Sequence, residues 1–341
     1  MIENYKEGSK KEYCICLGYE SLVIPFSLFY KRDNITVVSD RSDIIRLCKY
    51  LNISYLEFPN FDIKTMAMHF IRIKKLINNK IPVQDFKNTK FHITHKNFGL
   101  HSIIAMFFCK FGEVYFHKTE LDTEAVYKTA FFNVGQIKQW FLFWIVYKPF
   151  IRLAWGLSIT YKELLGKVTP VMKERSLLKN RINIIEYKEL TNFFVSVYSN
   201  VKVDIPSCKN LYIYEGVDEM VNLVEEKSLL ELTEVISNLD VVYKFHPNRN
   251  IETNNNIKYY DTFLPAELII NNVKNAVVGL VSASLRYSLH NKAIKTISCI
   301  ELVRWIDINK KKFYLNYISK WGTNIIFPKT VGELVALLKD K

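Results

Sequence analysis

The chain is 341 residues long, 49% hydrophobic and 14% aromatic, which supplies apolar surface for two cores and excludes wholesale disorder. Its 47 Lys and Arg outnumber 34 Asp and Glu, for a net charge of +13. That excess fits nucleic acid, an anionic membrane surface or a small anionic substrate, and equally a merely solubilising surface, so charge alone selects no function.

In chain order, residues 12–17 predict a strand, 21–30 a helix, and 35–38 a second strand whose end, Ser39-Asp40, can cap a helix over 44–51. A short strand at 55–58, a helix at 63–77, a strand at 91–95, a helix at 102–111 and a strand at 114–117 continue the alternation. Such β/α alternation predicts a parallel sheet covered on both faces. It lapses over 119–194, which reads as helical or irregular. This interval contains a Trp-rich stretch, 139–155, interrupted by Lys148, Pro149 and Arg152 before the roughly 20 apolar residues that a span requires. Burial between helices and contact with a membrane interface are both open to it.

A second α/β series begins with a strand at 211–214, followed by a long helix with apolar positions from Met220 to Ile236 that Asp218 can cap. A strand at 241–245 follows, then a segment at 257–260 leading to a helix begun near Pro265. The series ends with a strand at 276–280, a helix at 285–290, a strand at 294–300 and a closing helix at 331–338 that can pack back across the domain boundary. Two domains follow: 1–200, carrying the Trp-rich insert and a charged connector, and 201–341. Together they predict the α/β GT-B architecture, two Rossmann-like domains facing across a cleft.

The six cysteines include Cys14 and Cys16, which point to one face of a predicted strand, and no pair has zinc-ligand spacing. Free thiols in a reducing cytosol are expected, and residues 1–13 hold no apolar core of signal-peptide length.

Chemistry concentrates where apolar strands of the second domain give way to loops. His246 ends one strand, between Lys244 and Pro247, and an imidazolium there could bind a phosphate and donate a proton to it as it leaves. Ser282 and Ser284 stand between a buried strand and a helix, where their hydroxyls and free N–H groups could meet one anion, or where Ser282 simply caps the helix. Glu267 lies in the first turn of its helix, suited to electrostatic capping or to a ribose diol. Glu215, followed by Gly216, is a candidate general base for a hydroxyl nucleophile.

The order Glu215-Gly216, Lys244-Phe245-His246-Pro247, Leu264-Pro265-Ala266-Glu267 and Ser282-Ala283-Ser284 resembles the motifs of bacterial sialyltransferases. Length and the late position of the motifs are most similar to glycosyltransferase family 52, the lipooligosaccharide sialyltransferases, with the polysialyltransferases next. The resemblance spans about residues 209–290 and departs from the family pattern at Tyr214, where a second acid is usual, and at Ala283, which splits the serine pair. It implies an inverting, metal-independent transfer of sialic acid from CMP-sialic acid to a sugar hydroxyl, with no cofactor, and the chain has no Asp-x-Asp motif. Glu215 would deprotonate the acceptor and His246 would serve the leaving CMP, while Lys244, Pro247, Pro265, Glu267, Ser282 and Ser284 would bind the CMP-sugar. The acceptor would be a glycan or glycolipid of a bacterial surface, such as lipooligosaccharide or capsule, with galactose the expected terminal sugar. A cytoplasmic enzyme working at the anionic inner membrane surface would also use the basic charge. Nucleic acid is not expected as a partner, and the oligomeric state stays open, a homodimer included. Two rivals remain: a GT-B transferase of another CMP- or CDP-activated donor, such as a polyol-phosphate, and a non-enzymatic basic protein binding nucleic acid or membrane.

Overall fold

The computed structural model describes residues 12–16, 22–29, 35–58, 79, 89–93, 113–118, 182–187, 190–215, 220, 222–246 and 257–339. The chain divides into two units, Met1–Phe194 and Val195–Lys341. The helices expected at 63–77 and 102–111, the stretch 139–155, and Gly216, Asp218 and Pro247 lie outside the described residues.

The first unit is built on β1 (Glu12–Ile15), β2 (Ile35–Ser39), β3 (Tyr55–Glu57), β4 (Lys90–Ile93), β5 (Glu113–Lys118) and β6 (Ile182–Glu186). All pairings are parallel, in the order β3-β2-β1-β4-β5-β6. This is the strand order of the classic doubly wound nucleotide-binding fold. β1 lies centrally and is buried along its whole length, as expected of a parallel strand with both faces covered. Helices α1 (Val23–Phe29) and α2 (Ser42–Tyr50) supply the covering side chains, among them Ile24, Phe26, Ile44 and Leu47. Ser39 does not cap α2 directly: its hydroxyl accepts from Arg41 N at 3.2 Å and donates to Cys16 O at 2.6 Å, tying the end of β2 to that of β1. Strand β6 corrects the expectation that 119–194 is helical or irregular. It is the last strand in the sheet order, and its exposed Asn183 breaks the apolar run that would mark a central strand.

Helix α3 (Leu190–Asn200) crosses into the second unit. There β7 (Cys208–Tyr214), β8 (Val241–Phe245), β9 (Val273–Gly279), β10 (Lys295–Ser298) and β11 (Ile325–Ile326) form a second parallel sheet, ordered β11-β10-β9-β7-β8. Read within the unit this is the flavodoxin-like order, whose direction of winding reverses between β7 and β9. Two parallel-sheet α/β domains in series are the composition of the GT-B fold. The helices are α4 (Glu226–Ser237), α5 (Ala266–Ile270), α6 (Ser284–Ser288), α7 (Ile308–Ser319) and α8 (Val331–Lys339).

The core gathers Tyr212, Tyr243, Val278 and Ile297 from the strands, Leu229, Leu232 and Ile236 from α4, and Leu334 and Leu338 from α8. Each buried Leu or Ile contributes about 1.5–3 kcal/mol. Helix α8 is therefore anchored on its own unit, and its last carbonyls are capped by side chains: Asn210 donates to Leu338 O at 3.1 Å and Lys295 to Leu337 O at 3.0 Å. Helix α4 begins at Glu226, later than its apolar positions predict. Residues 223–225 are drawn into backbone pairing instead, with Glu225 N donating to Arg304 O at 2.8 Å and Ile306 N to Leu223 O at 3.0 Å. Helix α7 gives a weak sequence signal because Ile318 is its one fully buried residue, with Tyr314, Leu315 and Tyr317 only half-buried around it.

Candidate active site

In a parallel sheet the side chains that meet a ligand stand at the carboxyl ends of the strands, above all where the winding reverses. In the second unit three strand ends converge there. Tyr214 and Phe245 are the last partners of β7 and β8, so Glu215 and His246 leave the sheet side by side, with backbones about 5 Å apart. On the other side of β7, β9 ends at Gly279 and runs into Leu280, Val281 and Ser282.

Glu215 closes this switch point. Its Oε2 accepts the Leu280 N–H at 2.8 Å, and the Val281 N–H reaches Oε1 at 2.9 Å and Oε2 at 3.0 Å. The Leu280 carbonyl is held as well, by the Ser298 hydroxyl at 2.6 Å. The turn after β9 is thus fixed from both sides by side chains of neighbouring strand ends. A Cβ added at Gly279 would meet Leu285 Cδ1 at 3.4 Å, an ordinary van der Waals contact, which shows α6 packed over the end of β9. Behind the turn, burial and the nearby Glu215 charge push the Cys299 thiol well up. Tyr212 is raised too, first by burial, then by Cys299 and Glu215. Both stay neutral at physiological pH and form an uncharged floor.

The two serines have different partners. Ser284 Oγ donates to Glu267 Oε1 at 2.9 Å, which joins the start of α6 to the first turn of α5. Ser282 Oγ accepts the Ser284 N–H at 3.3 Å, and the half-buried Ser282 hydroxyl keeps its own hydrogen for another acceptor. The intervening Ala283 is exposed. Pro265 is buried at the N-cap of α5, where its fixed φ of −61° sets the entry into the turn that carries Glu267.

His246 is exposed at the end of β8. Lys244 is 3% exposed, and its ammonium donates to the carbonyls of Phe245 and, at 3.1 Å, of Thr262. Alternation along a strand turns Lys244 and His246 to the same face, and the ammonium fastens β8 to the 262 turn. Glu215, Glu267, Ser282 and Ser284 are therefore linked into one hydrogen-bonded group through the Leu280–Ser284 backbone, and His246 stands beside it. The carboxylate expected as a base has both oxygens engaged by amides.

One polar cluster escaped the reading of the sequence. In the first unit Glu12, His92, His117 and Tyr187 form a continuous hydrogen-bonded chain across the sheet face. The signal was present: a histidine interrupting each of two apolar strands, β4 and β5, at positions that are rarely buried without a partner.

No protein-family model matches the chain, and no curated protein sequence matches it significantly. Among solved structures, it is similar to the glycotransferase of kitacinnamycin at 10% identity, over 97% of this chain and 91% of that one, with a TM-score of 0.45. The spinosyn forosaminyltransferase is similar at 10% identity, over 97% and 90% of the two chains, with a TM-score of 0.46. Arabidopsis thaliana UGT89C1, complexed with UDP-L-rhamnose, is similar at 9% identity, over 97% and 90%, with a TM-score of 0.42. These likenesses are distant.

Proposed function

We propose that the chain is a GT-B glycosyltransferase and, within that class, a sialyltransferase that moves sialic acid from CMP-sialic acid to a hydroxyl of a terminal sugar on a surface glycan. The observation that carries this reading is the hydrogen-bonded union of three motif segments far apart in sequence. Glu215 holds the 280–281 turn, and that turn leads into Ser284, which holds Glu267. A merely structural reading of each residue does not require them to meet at the switch point beside His246.

In the proposed reaction the acceptor oxygen bonds to the anomeric carbon of the sialyl group as the bond from that carbon to the CMP phosphate breaks. Negative charge grows on the departing phosphate, and donors placed there act most strongly in the transition state. His246 donates to that phosphate. Ser282 is assigned as the second donor, because the Ser284 hydroxyl is occupied by Glu267. The other oxygen of Glu267 takes a ribose hydroxyl. Glu215 is assigned to shaping the turn and Lys244 to fixing the end of β8, with its charge felt as a field. No metal is invoked, since these donors meet the phosphate directly. Work at an anionic membrane surface from the cytoplasmic side belongs to the same proposal. Among the described residues no helix is long and apolar enough to cross a membrane.

The test is a donor panel. With CMP-sialic acid, CDP-glycerol and UDP-sugars, thermal protection and donor hydrolysis should be greatest with CMP-sialic acid. Preference for CDP-glycerol would establish the polyol-phosphate alternative, and preference for a UDP-sugar would remove the sialyl assignment while keeping the transferase.

A further inference from the structure

Helix α7 is entered from the carboxyl end of β10, through the 299–301 turn and residues 302–307, and only one of its sides packs on the second unit. On that side Ile318 is fully buried, Tyr314 and Leu315 are half-buried around it, and Lys311 is tied to Glu301 at 2.6 Å. At 3.6 residues per turn, Ile308, Lys312, Asn316, Lys320 and Phe313 fall within an arc of about 140° on the other side. All five are exposed. Ile306 and Ile308 are 60% and 58% exposed, the most exposed large hydrophobic side chains among the described residues, and Phe313 is 40% exposed. A single exposed apolar side chain is ordinary, but three within the eight positions 306–313 form a patch.

The patch stands on a fixed backbone. Asp307 caps the helix by accepting the Asn309 N–H at 2.8 Å, Ile306 N donates to Leu223 O at 3.0 Å, and Trp305 Nε1 donates to Ile300 O at 2.9 Å. Along the helix Phe313 stacks on Tyr317 at 6.2 Å with the rings 3° from parallel, and Tyr317 meets Trp321 edge-on at 5.3 Å. This ladder at i, i+4 spacing leads from the exposed arc back to the core, where Tyr317 and Trp321 pack with Ile318 and Ile325. The charge beside the patch has one sign. Between 302 and 332 the chain has six Lys and Arg and one acid, Asp307, which is engaged as the N-cap. Lys310, Lys312 and Lys320 are exposed, and among the described residues no ion pair engages them.

We propose that the exposed arc of α7, with Ile306 beside it, docks the second unit on an anionic lipid bilayer. The proposal deepens the transferase reading above, on which it rests for a lipid-borne acceptor, and names the surface that meets the membrane. Apolar side chains set among lysines are the composition of a helix that lies in a membrane interface. Ile306, Ile308 and Phe313 enter the boundary between headgroups and acyl chains, while Lys310, Lys312 and Lys320 meet lipid phosphates. The two isoleucines separate a bilayer from a nucleic acid, because single strands are held by stacking on aromatic planes and isoleucine has none. Docking there also bears on the candidate site: Val281, in the turn held by Glu215, packs against the same buried residues as Trp305 and Tyr314.

Sedimentation of the full chain with vesicles tests the proposal. The protein should bind vesicles of phosphatidylcholine mixed with an equal amount of phosphatidylglycerol, bind phosphatidylcholine alone far more weakly, and lose the difference as salt screens the lysines. Joint replacement Lys310→Gln, Lys312→Gln and Lys320→Gln should weaken binding to the mixed vesicles about 100-fold, at the usual strength of each lysine near an anionic surface. Joint replacement Ile306→Ser, Ile308→Ser and Phe313→Ser should weaken it roughly tenfold or more. Thermal midpoints and transfer to a soluble acceptor sugar should stay at wild-type values in both variants, since the replaced side chains are exposed and none belongs to the donor site. Failure of the wild-type protein to bind mixed vesicles, or undiminished binding by either variant, would overturn the proposal. Retention on single-stranded RNA that the lysine replacements abolish, without vesicle binding, would assign the face to nucleic acid and overturn it as well. The two readings separate cleanly: transfer without vesicle binding removes the docking surface and keeps the transferase, and vesicle binding without turnover of CMP-sialic acid does the opposite.

Discussion

The two units solve the problem of a polar group in a parallel sheet in opposite ways. In the first, ionisable side chains are sunk into the sheet and bonded to one another, from Glu12 to Tyr187. In the second, most side chains buried along the strands are apolar or aromatic, the buried Asn210, Asn275 and Lys244 bond to backbone carbonyls and, for the two asparagines, to each other, and beyond the strand ends Glu215, Ser284 and Glu267 bind backbone amides and each other. Buried chains of this kind suit the movement of protons, since each member needs only to change its hydrogen-bond direction. Strand-end groups backed by fixed amides suit recognition of an anion, since they need no reorganisation when charge arrives. On the proposed reading, the strand ends of the second sheet are the ones that meet the donor's phosphate.

The comparison can be broken at its strongest point first. His246→Ala should lower transfer ~100- to 1000-fold, the scale for one lost transition-state donor, with an unchanged far-ultraviolet circular dichroism spectrum. An active His246→Ala protein would remove the phosphate role from the second sheet. Next, Glu215→Ala leaves the Leu280 and Val281 amides without their carboxylate and should destabilise the protein by about 1–3 kcal/mol in urea unfolding. It should also weaken CMP binding through the loosened turn, and loss of catalysis with full CMP affinity would return Glu215 to the role of base.

The serine pair sharpens the picture further. Ser282→Ala should reduce kcat with little effect on CMP affinity, whereas Ser284→Ala should raise the Kd for CMP by releasing Glu267. The reverse pattern would exchange their assignments. The smallest effect concerns pH. His117 titrates near 6.5 when unfolded and near 3 when folded, so between those values the unfolded chain binds more protons. Stability is then fully present above about pH 6.5 and is lost progressively as pH falls toward 3. His117→Asn should flatten that acid limb of the thermal midpoint, and an unchanged limb would mean that another group governs it.

Much of this architecture is visible in the amino-acid order. The strand at 241–245 and the central strands of the first sheet show as apolar, β-rich runs because both their faces are covered. Strand β6 and helix α7 do not show, because the one lies at the end of its sheet and the other buries little beyond Ile318. At the candidate site, composition and strand-end position single out Glu215, His246, Glu267, Ser282 and Ser284, but not who bonds to whom. Lys244 reads as a site cation, and the sequence does not show that its ammonium bonds to two carbonyls. The chain of Glu12, His92, His117 and Tyr187 is hidden for a simpler reason: its successive partners are 80, 25 and 70 residues apart, and only the strand order brings them together.

The most direct test of the central claim is the structure of the protein with CMP bound. The account predicts the phosphate within ~3 Å of His246 and the Ser282 hydroxyl, with the ribose hydroxyls on Glu267. CMP seated anywhere else, or no binding of CMP at all, would contradict it.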